Sequence, residues 1–569
     1  MDSQTHINIE KTEAVSSNGM VATKDKLASN IGVDILKAGG NAVDAGVAAC
    51  LAVGVVEPES SGIGGGGYMV FQIGDKGGVI GFPMKGPLQV TPNMYELSGK
   101  NRVGNFGWAG VVNDENIHGY RSIAVPGCIA GLLEAHKRFG KLPLSDVIDP
   151  AIDLARNGFY PEWFTLYKFG WLVDMLLRYP ELGKTFMPNG LLPHGTLDTP
   201  FLLKQSDLAD SLEIVKTQGH DGFYKGDIAK NIVSDVQKND GILTLEDFEK
   251  YTPFYWESGL EFNYRNKIIR VPPFASAGIT SAMTMNLLNH ANLRDMGHNS
   301  AEMLSTYISA AKMAYADRFQ YLADPQYTDV PWDGLISDLY SQERFQEMST
   351  SNHLKYNYGD PWKYEDRIPT NPKLKGSSPS PDNGTTHLSI IDGEGNAVAI
   401  TNTIMSGFGS GIIPKGTGIV MNNGMMWYDP IPGRVNSIAP GKYPLNNMTP
   451  ALVLNKNGVE MSLGATGGRR ITNSVTSLLV NLIDFNMSPQ KAIDVPRIDC
   501  SSSKINIDPR IDKETINKLI SIGHEIQILG GDYSQSRFGQ FASPVAVTKQ
   551  NDIFRGGVDT FHAAHAAGL

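Results

Sequence analysis

The chain is 569 residues long, 41% hydrophobic and 19% charged, the make-up of a globular protein with room for a large core. A net charge of −10 and a pI near 5.7 lack the basic footprint that a phosphate backbone requires, so no nucleic-acid partner is expected. Cys50, Cys128 and Cys500 are odd in number and far apart, which leaves neither a disulfide framework nor a zinc spacing to read.

The opening stretch MDSQTHINIEKTEAVSSNG is polar and has no apolar h-region, so the sequence reads as lacking a signal peptide and a cytoplasmic location is the expectation. Residues 21–72 read as strand, helix, then turn and strand. The apolar stretch from Ala45 to Val56 is too short for a bilayer and rich in small residues, which predicts a tightly packed helix and no membrane span. The run Gly62 to Gly67 formally contains G-x-G-x-x-G, but the strand-like YMVFQIG follows it and no Lys-Ser/Thr is present, so it reads as a turn rather than a nucleotide site.

From about 120 to 330 the pattern is mostly helical. VPGCIAGLLEAHKRFG carries apolar residues at helical spacing and ends at Gly140, and Thr244 with Asp247 resembles a capping box. SAEMLSTYISAAKMAYADRFQYLADP predicts a long amphipathic helix that stops near Asp324-Pro325. Residues 350–383 turn rich in Pro, Gly, Ser, Asn and charge, which predicts an exposed, mobile segment. Beyond it, HLSIID-GEGN-AVAITNT predicts a hairpin and ALVLNKNGVEMSLGA a second, turning at Asn457-Gly458. TNSVTSLLVNLIDF and KETINKLISIG read as helices. His562-x-x-His565 could share a helix face, but neither a third ligand nor an HExxH accompanies it, so no metal is expected.

The chemistry concentrates at Gly384-Thr385-Thr386-His387. If the bond between Gly384 and Thr385 were cut, Thr385 would carry a hydroxyl nucleophile and a free α-amine on one residue, the amine titrating near 7.7–8.0 and able to act as base. In the uncut chain the Thr385 hydroxyl could attack the Gly384 carbonyl, which an unbranched residue leaves approachable. His387 lies two residues along the same strand and is assigned a structural role.

NAVDAGVAACLAVGVVEPESSGIGGGGYMV, SAAKMAYADR, GTTHLSIIDGEGNAVAITNT, FGSGI, PLNNMTP and GATGGRR occur in that order. They are similar to the signature segments of the γ-glutamyltranspeptidase family of N-terminal-nucleophile hydrolases. The resemblance implies an α+β fold, a four-layer αββα sandwich shared by a large fragment, 1–384, and a small one, 385–569, with 350–384 the flexible segment before the cut. It implies Thr385 as nucleophile, Thr403 as its hydrogen-bonding partner, and Gly467 and Gly468 as an oxyanion hole, with Arg469 and Arg470 at the helix start beyond. The implied partners are a small amide substrate and water or an amine as acceptor. No cofactor is implied, and the oligomeric state is open, a homo-oligomer included.

The substrate-reading positions depart from the family. Where γ-glutamyl enzymes clamp a carboxylate with Arg in a DFREMAP-like segment, this chain has GFPMKGP, with Pro83 at the Arg position and Lys85 two residues on. Met405, Gly424 and Trp427 replace the polar ammonium-side contacts, Asn446 and Asn447 stand for paired serines, and the link from Asn423 to Asn446 is short for a family with a lid loop. An amidohydrolase or acyltransferase with altered acyl specificity is therefore expected, taking a less polar acyl, or a small or dicarboxylic one held by Asn446, Asn447 and Lys85. The alternatives are an ordinary glutathione hydrolase or transferase and an uncleaved, non-enzymatic binding protein.

Overall fold

The computed structural model describes residues 10–101, 109–195, 200–350, 354, 356–369, 374–377, 384–529 and 541–569. Two seven-stranded sheets form its centre. Their strands, in chain order, are β1 (Ala14–Ser16), β2 (Gly19–Thr23), β3 (Gly66–Ile73), β4 (Lys76–Phe82), β5 (Phe254–Glu257), β6 (Leu260–Tyr264), β7 (Lys267–Val271), β8 (Gly384–Asp392), β9 (Ala397–Met405), β10 (Ala451–Asn455), β11 (Gly458–Thr466), β12 (Ser543–Gln550), β13 (Ile553–Val558) and β14 (His565–Gly568). One sheet runs β14-β2-β8-β9-β3-β4-β5 and the other β1-β13-β12-β11-β10-β7-β6.

Strand alternation sorts the apolar residues into three cores. Ile390, Val398 and Ile400 face the helices Ala42–Val56 and Cys128–Phe139. Their neighbours Ile391, Ala397 and Ala399 face the other sheet, where they meet Leu452, Val545 and Val547. The far face of that second sheet, with Val453, Leu463 and Ala465, packs on the helices Gly278–Asn289, Ala301–Tyr321 and Arg470–Ile483. Helix, sheet, sheet and helix make the four-layer αββα sandwich.

The helix Ala42–Val56 is buried along its whole length. It begins at a capping box, in which Asn41 accepts from the amides of Val43 and Asp44 while Asp44 accepts from the Asn41 amide. Gly46 lets it sit against the sheet, since a Cβ there would lie 2.9 Å from Val398 Cγ2. The Thr244–Asp247 capping box opens the helix Leu245–Glu249. The long helix Ala301–Tyr321 stops just before Asp324-Pro325. The hairpins form as read, although Asn455 pairs with Gly458, so the second turns on Lys456-Asn457, one residue early.

The expectation of a mobile segment over 350–383 needs dividing. Residues 351–353, 355, 370–373 and 378–383 lie outside the described residues. Part of the rest is tied down: the Gly359 amide donates to Asp317 Oδ1 at 2.8 Å, Tyr321 donates to the Gly359 carbonyl at 2.6 Å, and Arg367 donates to the Val330 carbonyl at 3.0 Å. Composition overlooked this because each bond pairs one main-chain group with a side chain distant in sequence. All three cysteines are buried thiols. Among the described residues no helix is long and apolar enough to cross a membrane.

The two sheets are in close contact where Gly464 of β11 lies against the His387 ring of β8. A Cβ on Gly464 would fall 2.3 Å from His387 Cε1. Gly464→Ala is expected to cost about 1–3 kcal/mol through overpacking, read as a lower urea midpoint with an unchanged m-value.

Candidate active site

Thr385 opens β8 and Thr403 lies near the end of β9, its antiparallel neighbour. Both belong to the alternation set that faces the second sheet, so both hydroxyls enter the space between the sheets at one end of the sandwich. A register irregularity between Gly384 and Thr386 lifts the strand there. Thr385 Oγ1 donates to the Gly384 carbonyl at 2.5 Å and lies 3.2 Å from Thr403 Oγ1. Thr403 Oγ1 also donates to the Gly384 carbonyl and accepts from the Met405 amide at 2.8 Å. The carbonyl that cleavage would attack thus receives two hydroxyl hydrogen bonds in a site where Thr385 is 5% exposed.

The glycine run supplies the wall beside Thr403. A Cβ on Gly65 would lie 2.1 Å from the Thr403 carbonyl oxygen, and one on Gly64 2.2 Å from that of Val420. Asn422 clamps the run through the Gly64 carbonyl at 2.7 Å, and Asn423 holds the loop after β9 through the Ser406 amide and hydroxyl, both at 3.0 Å. Gly467 and Gly468 follow β11 with φ of 126° and 67°, left-handed backbone that suits glycine. They end the strand and lead into the helix Arg470–Ile483, whose first amides lack intrahelical acceptors. The Arg470 guanidinium folds back onto the Gly467 carbonyl at 3.0 Å. Arg469 is buried against the Phe319 ring.

His387 does not bond Thr385. Its Nδ1 pairs with Thr401 Oγ1 at 2.9 Å and its Nε2 with Ser389 Oγ at 3.0 Å. Burial, aided by Lys24, pushes its pKa down to about 3, so the ring is neutral at physiological pH. Thr386 faces the opposite way and donates to Glu57 Oε2 at 3.5 Å. Burial pushes the Glu57 carboxyl up to about 7 against the opposing pull of Lys168 and Lys24. Sequence reading passed over Glu57, because a Glu at the end of an apolar helix gives no pattern.

The five residues expected at the substrate are placed unevenly. Asn446 has both amide hydrogens committed, to Tyr68 Oη and the Ala275 carbonyl, each at 2.9 Å. In this structure both of its amide hydrogens thus have partners within the protein. Asn447 Oδ1 and the Asn446 carbonyl both accept from Arg318, at 2.9 and 2.7 Å. Arg318 comes from the SAAKMAYADR segment, is 1% exposed, and its pKa is lowered to about 10 by burial. Trp427 and Met405 are fully buried, in the apolar cluster that also holds Met84, Met425 and Met426. Lys85 alone of the five is part exposed, its ammonium 5.1 Å from the Tyr443 ring centre and its pKa lowered by burial. Pro83 accepts from Tyr251 at 2.8 Å through its carbonyl and supplies no cation.

His562 pairs with Asp559 at 2.7 Å while His565 begins β14, so the two histidines share no helix. Among the described residues no group of three or more His, Cys, Asp or Glu side chains could hold a metal.

The model of the family described as Gamma-glutamyltranspeptidase matches residues 28–569. The chain belongs to the γ-glutamyltranspeptidase family. It is 31% identical to a glutathione hydrolase proenzyme of Bacillus subtilis (strain 168), covering 98% of this chain and 92% of that one. It is 34% identical to the acylase ACY 1 proenzyme of Pseudomonas sp. (strain V22), over 91% and 88% of the two chains. The crystal structure of cephalosporin acylase from Bacillus halodurans superposes with a TM-score of 0.86 at 25% identity, covering 100% of this chain and 99% of that one. The protein is an enzyme of the N-terminal-nucleophile hydrolase fold.

The His387 shift has a sign that can be checked. Its folded pKa lies below the unfolded value near 6.5, so the unfolded state binds the proton more readily and stability falls as pH drops from about 6.5 toward 3. The stability advantage of wild type over His387→Gln is expected to be largest above pH 6.5 and to shrink steadily below it, measured by urea denaturation across that range.

Proposed function

We propose that the protein cleaves itself between Gly384 and Thr385 and then hydrolyses an amide whose acyl group is not an ordinary γ-glutamyl. The observation that carries the first half is the pair of hydroxyls on the Gly384 carbonyl. Thr403 polarises that carbonyl while Thr385 Oγ1 adds to its carbon. The amide nitrogen leaves with a proton as the Thr385 amine, and the resulting Gly384 ester is hydrolysed by water. In the mature enzyme the freed amine takes the Thr385 hydroxyl proton, directly or through a water. The hydroxyl oxygen bonds the substrate carbonyl carbon and the leaving amine departs with a proton. Water, or an amine acceptor, then resolves the acyl-enzyme. The amides at Gly467 and Gly468 are assigned to the developing oxyanion.

The altered acyl specificity rests on what faces the site. No arginine stands at Pro83, Arg318 is committed to Asn446 and Asn447, and the ammonium-side positions are Met405, Gly424 and Trp427. A free α-carboxylate and α-ammonium would be desolvated there without matched partners, at a cost of several kcal/mol. With the Asn446 amide committed, a less polar acyl is favoured over one held by asparagines. The fragments 1–384 and 385–569 stay together because β8 pairs with β2, β9 with β3 and β10 with β7, ladders that cross the cut.

An intact mass spectrum under denaturing conditions is expected to show two fragments meeting at Gly384/Thr385, and a single chain for Thr385→Ala. Thr403→Val is expected to slow cleavage by about 10²-fold, in line with losing one preorganised donor. A second test concerns the substrate. For a γ-glutamyl anilide, kcat/KM is expected to stay below about 10⁴ M⁻¹s⁻¹ and at least tenfold below that for an anilide of a simple apolar acid; the reverse order would return the enzyme to ordinary γ-glutamyl chemistry.

A further inference from the structure

The last four described residues before Gly384, Leu374–Ser377, lie in a channel between the end of the helix Ala301–Tyr321 and the loop Arg434–Asn436. Lys375 and Arg434 form an isolated parallel β-bridge. The Val435 amide donates to the Lys375 carbonyl at 3.0 Å, the Ser377 amide donates to the Phe319 carbonyl at 2.7 Å, and the Asn436 amide donates to Ser377 Oγ at 3.0 Å. Gly376 lies close on Phe319 and Gln320, where a Cβ would stand 2.7 Å from Gln320 Oε1. None of these four residues is fully buried, whereas Val435 and Asn436 beneath them are each 4% exposed. Two of the three bonds that hold the strip use its main chain, and the third uses the Ser377 hydroxyl.

The floor of this channel is continuous with the segment that the sequence singles out for substrate. The Asn436 side chain donates to the Trp427 carbonyl at 2.7 Å and accepts from the Leu445 amide at 2.9 Å. Arg318, which holds Asn446 and Asn447, immediately precedes Phe319. In the uncut chain the strip is tethered at both ends. Cutting at Gly384 frees one end, which lowers its effective concentration over the channel. Release would leave the buried Val435 and Asn436 amides and the Phe319 carbonyl without these partners, and buried main-chain groups favour a replacement.

We propose that this channel is a binding site for an extended peptide, filled by Leu374–Ser377 in the uncut chain and by the peptidic part of a substrate once cleavage has freed that tail. Recognition is by strand addition: main-chain hydrogen bonds hold the ligand and side chains are read loosely. The inference rests on the self-cleavage reading above.

The test uses a fluorescein-labelled peptide of residues 372–379 and full-length protein whose cleavage state has been read by intact mass. Cleaved protein is expected to bind the peptide, and the peptide to inhibit amide hydrolysis competitively. Uncut Thr385→Ala is expected to bind at least tenfold more weakly, its channel being filled by its own strip. A peptide N-methylated at the Ser377 amide, which lacks the donor to Phe319, is expected to bind roughly tenfold more weakly to an unaltered protein. Cleaved protein that ignores the peptide, or that binds the N-methylated form equally well, overturns this inference alone. A mass spectrum showing only uncut chain overturns the cleavage reading and this inference with it.

Discussion

The site depends on which way a single strand faces. Because successive side chains of β8 point to opposite sheet faces, Thr385 enters the space between the sheets and Thr386 turns to Glu57 on the helix side. A slip of one residue would exchange them and put Thr385 under the buried helix Ala42–Val56. Several features oppose that slip. Ile390 and Ile391 are sorted into separate cores, the Asp392 carboxylate gathers the turn by accepting from the Glu394 and Asn396 amides and ties it to the Ala42 amide, and the His387 ring seats against Gly464.

The same alternation explains why three neighbouring residues with hydrogen-bonding side chains take three different tasks. Thr385 shares the Gly384 carbonyl with Thr403, Thr386 touches a carboxyl whose proton affinity burial has raised, and His387 is kept neutral in a sheet interface between Thr401 and Ser389. A histidine two residues from the proposed nucleophile suggests a base by type. Its two ring nitrogens are already engaged by hydroxyls, and protonating it would place an uncompensated charge between packed sheets.

Much of the fold was legible because its signals are local. Capping boxes at Asn41 and Thr244, the turn after Asp392, and the apolar spacing of the helices all act within a few residues. The docked stretch around Gly359 was not legible, since it is held by carbonyls and amides that every sequence has. The candidate site divides in the same way. Thr385, Thr403, Gly467 and Gly468 were expected from the family resemblance, and the structure sets the Thr385 and Thr403 hydroxyls 3.2 Å apart. Whether Asn446 is free to meet a ligand could not, because that turns on Tyr68 and Ala275, some 378 and 171 residues away. Arg318 and Glu57 escaped for a related reason: each acts through a partner distant in sequence.

The ladders that join β2 to β8, β3 to β9 and β7 to β10 have a consequence for how long the enzyme lasts. They are made while the chain is one piece, when closing each pairing is an intramolecular event. After the proposed cut, the two pieces that separate on unfolding would carry open strand edges and could meet again only by collision, in competition with aggregation. The uncut chain is thus the folding template for an assembly that need not be able to rebuild itself. The working lifetime of the mature protein is then set by the height of its unfolding barrier, a rate, rather than by an equilibrium between folded and unfolded forms.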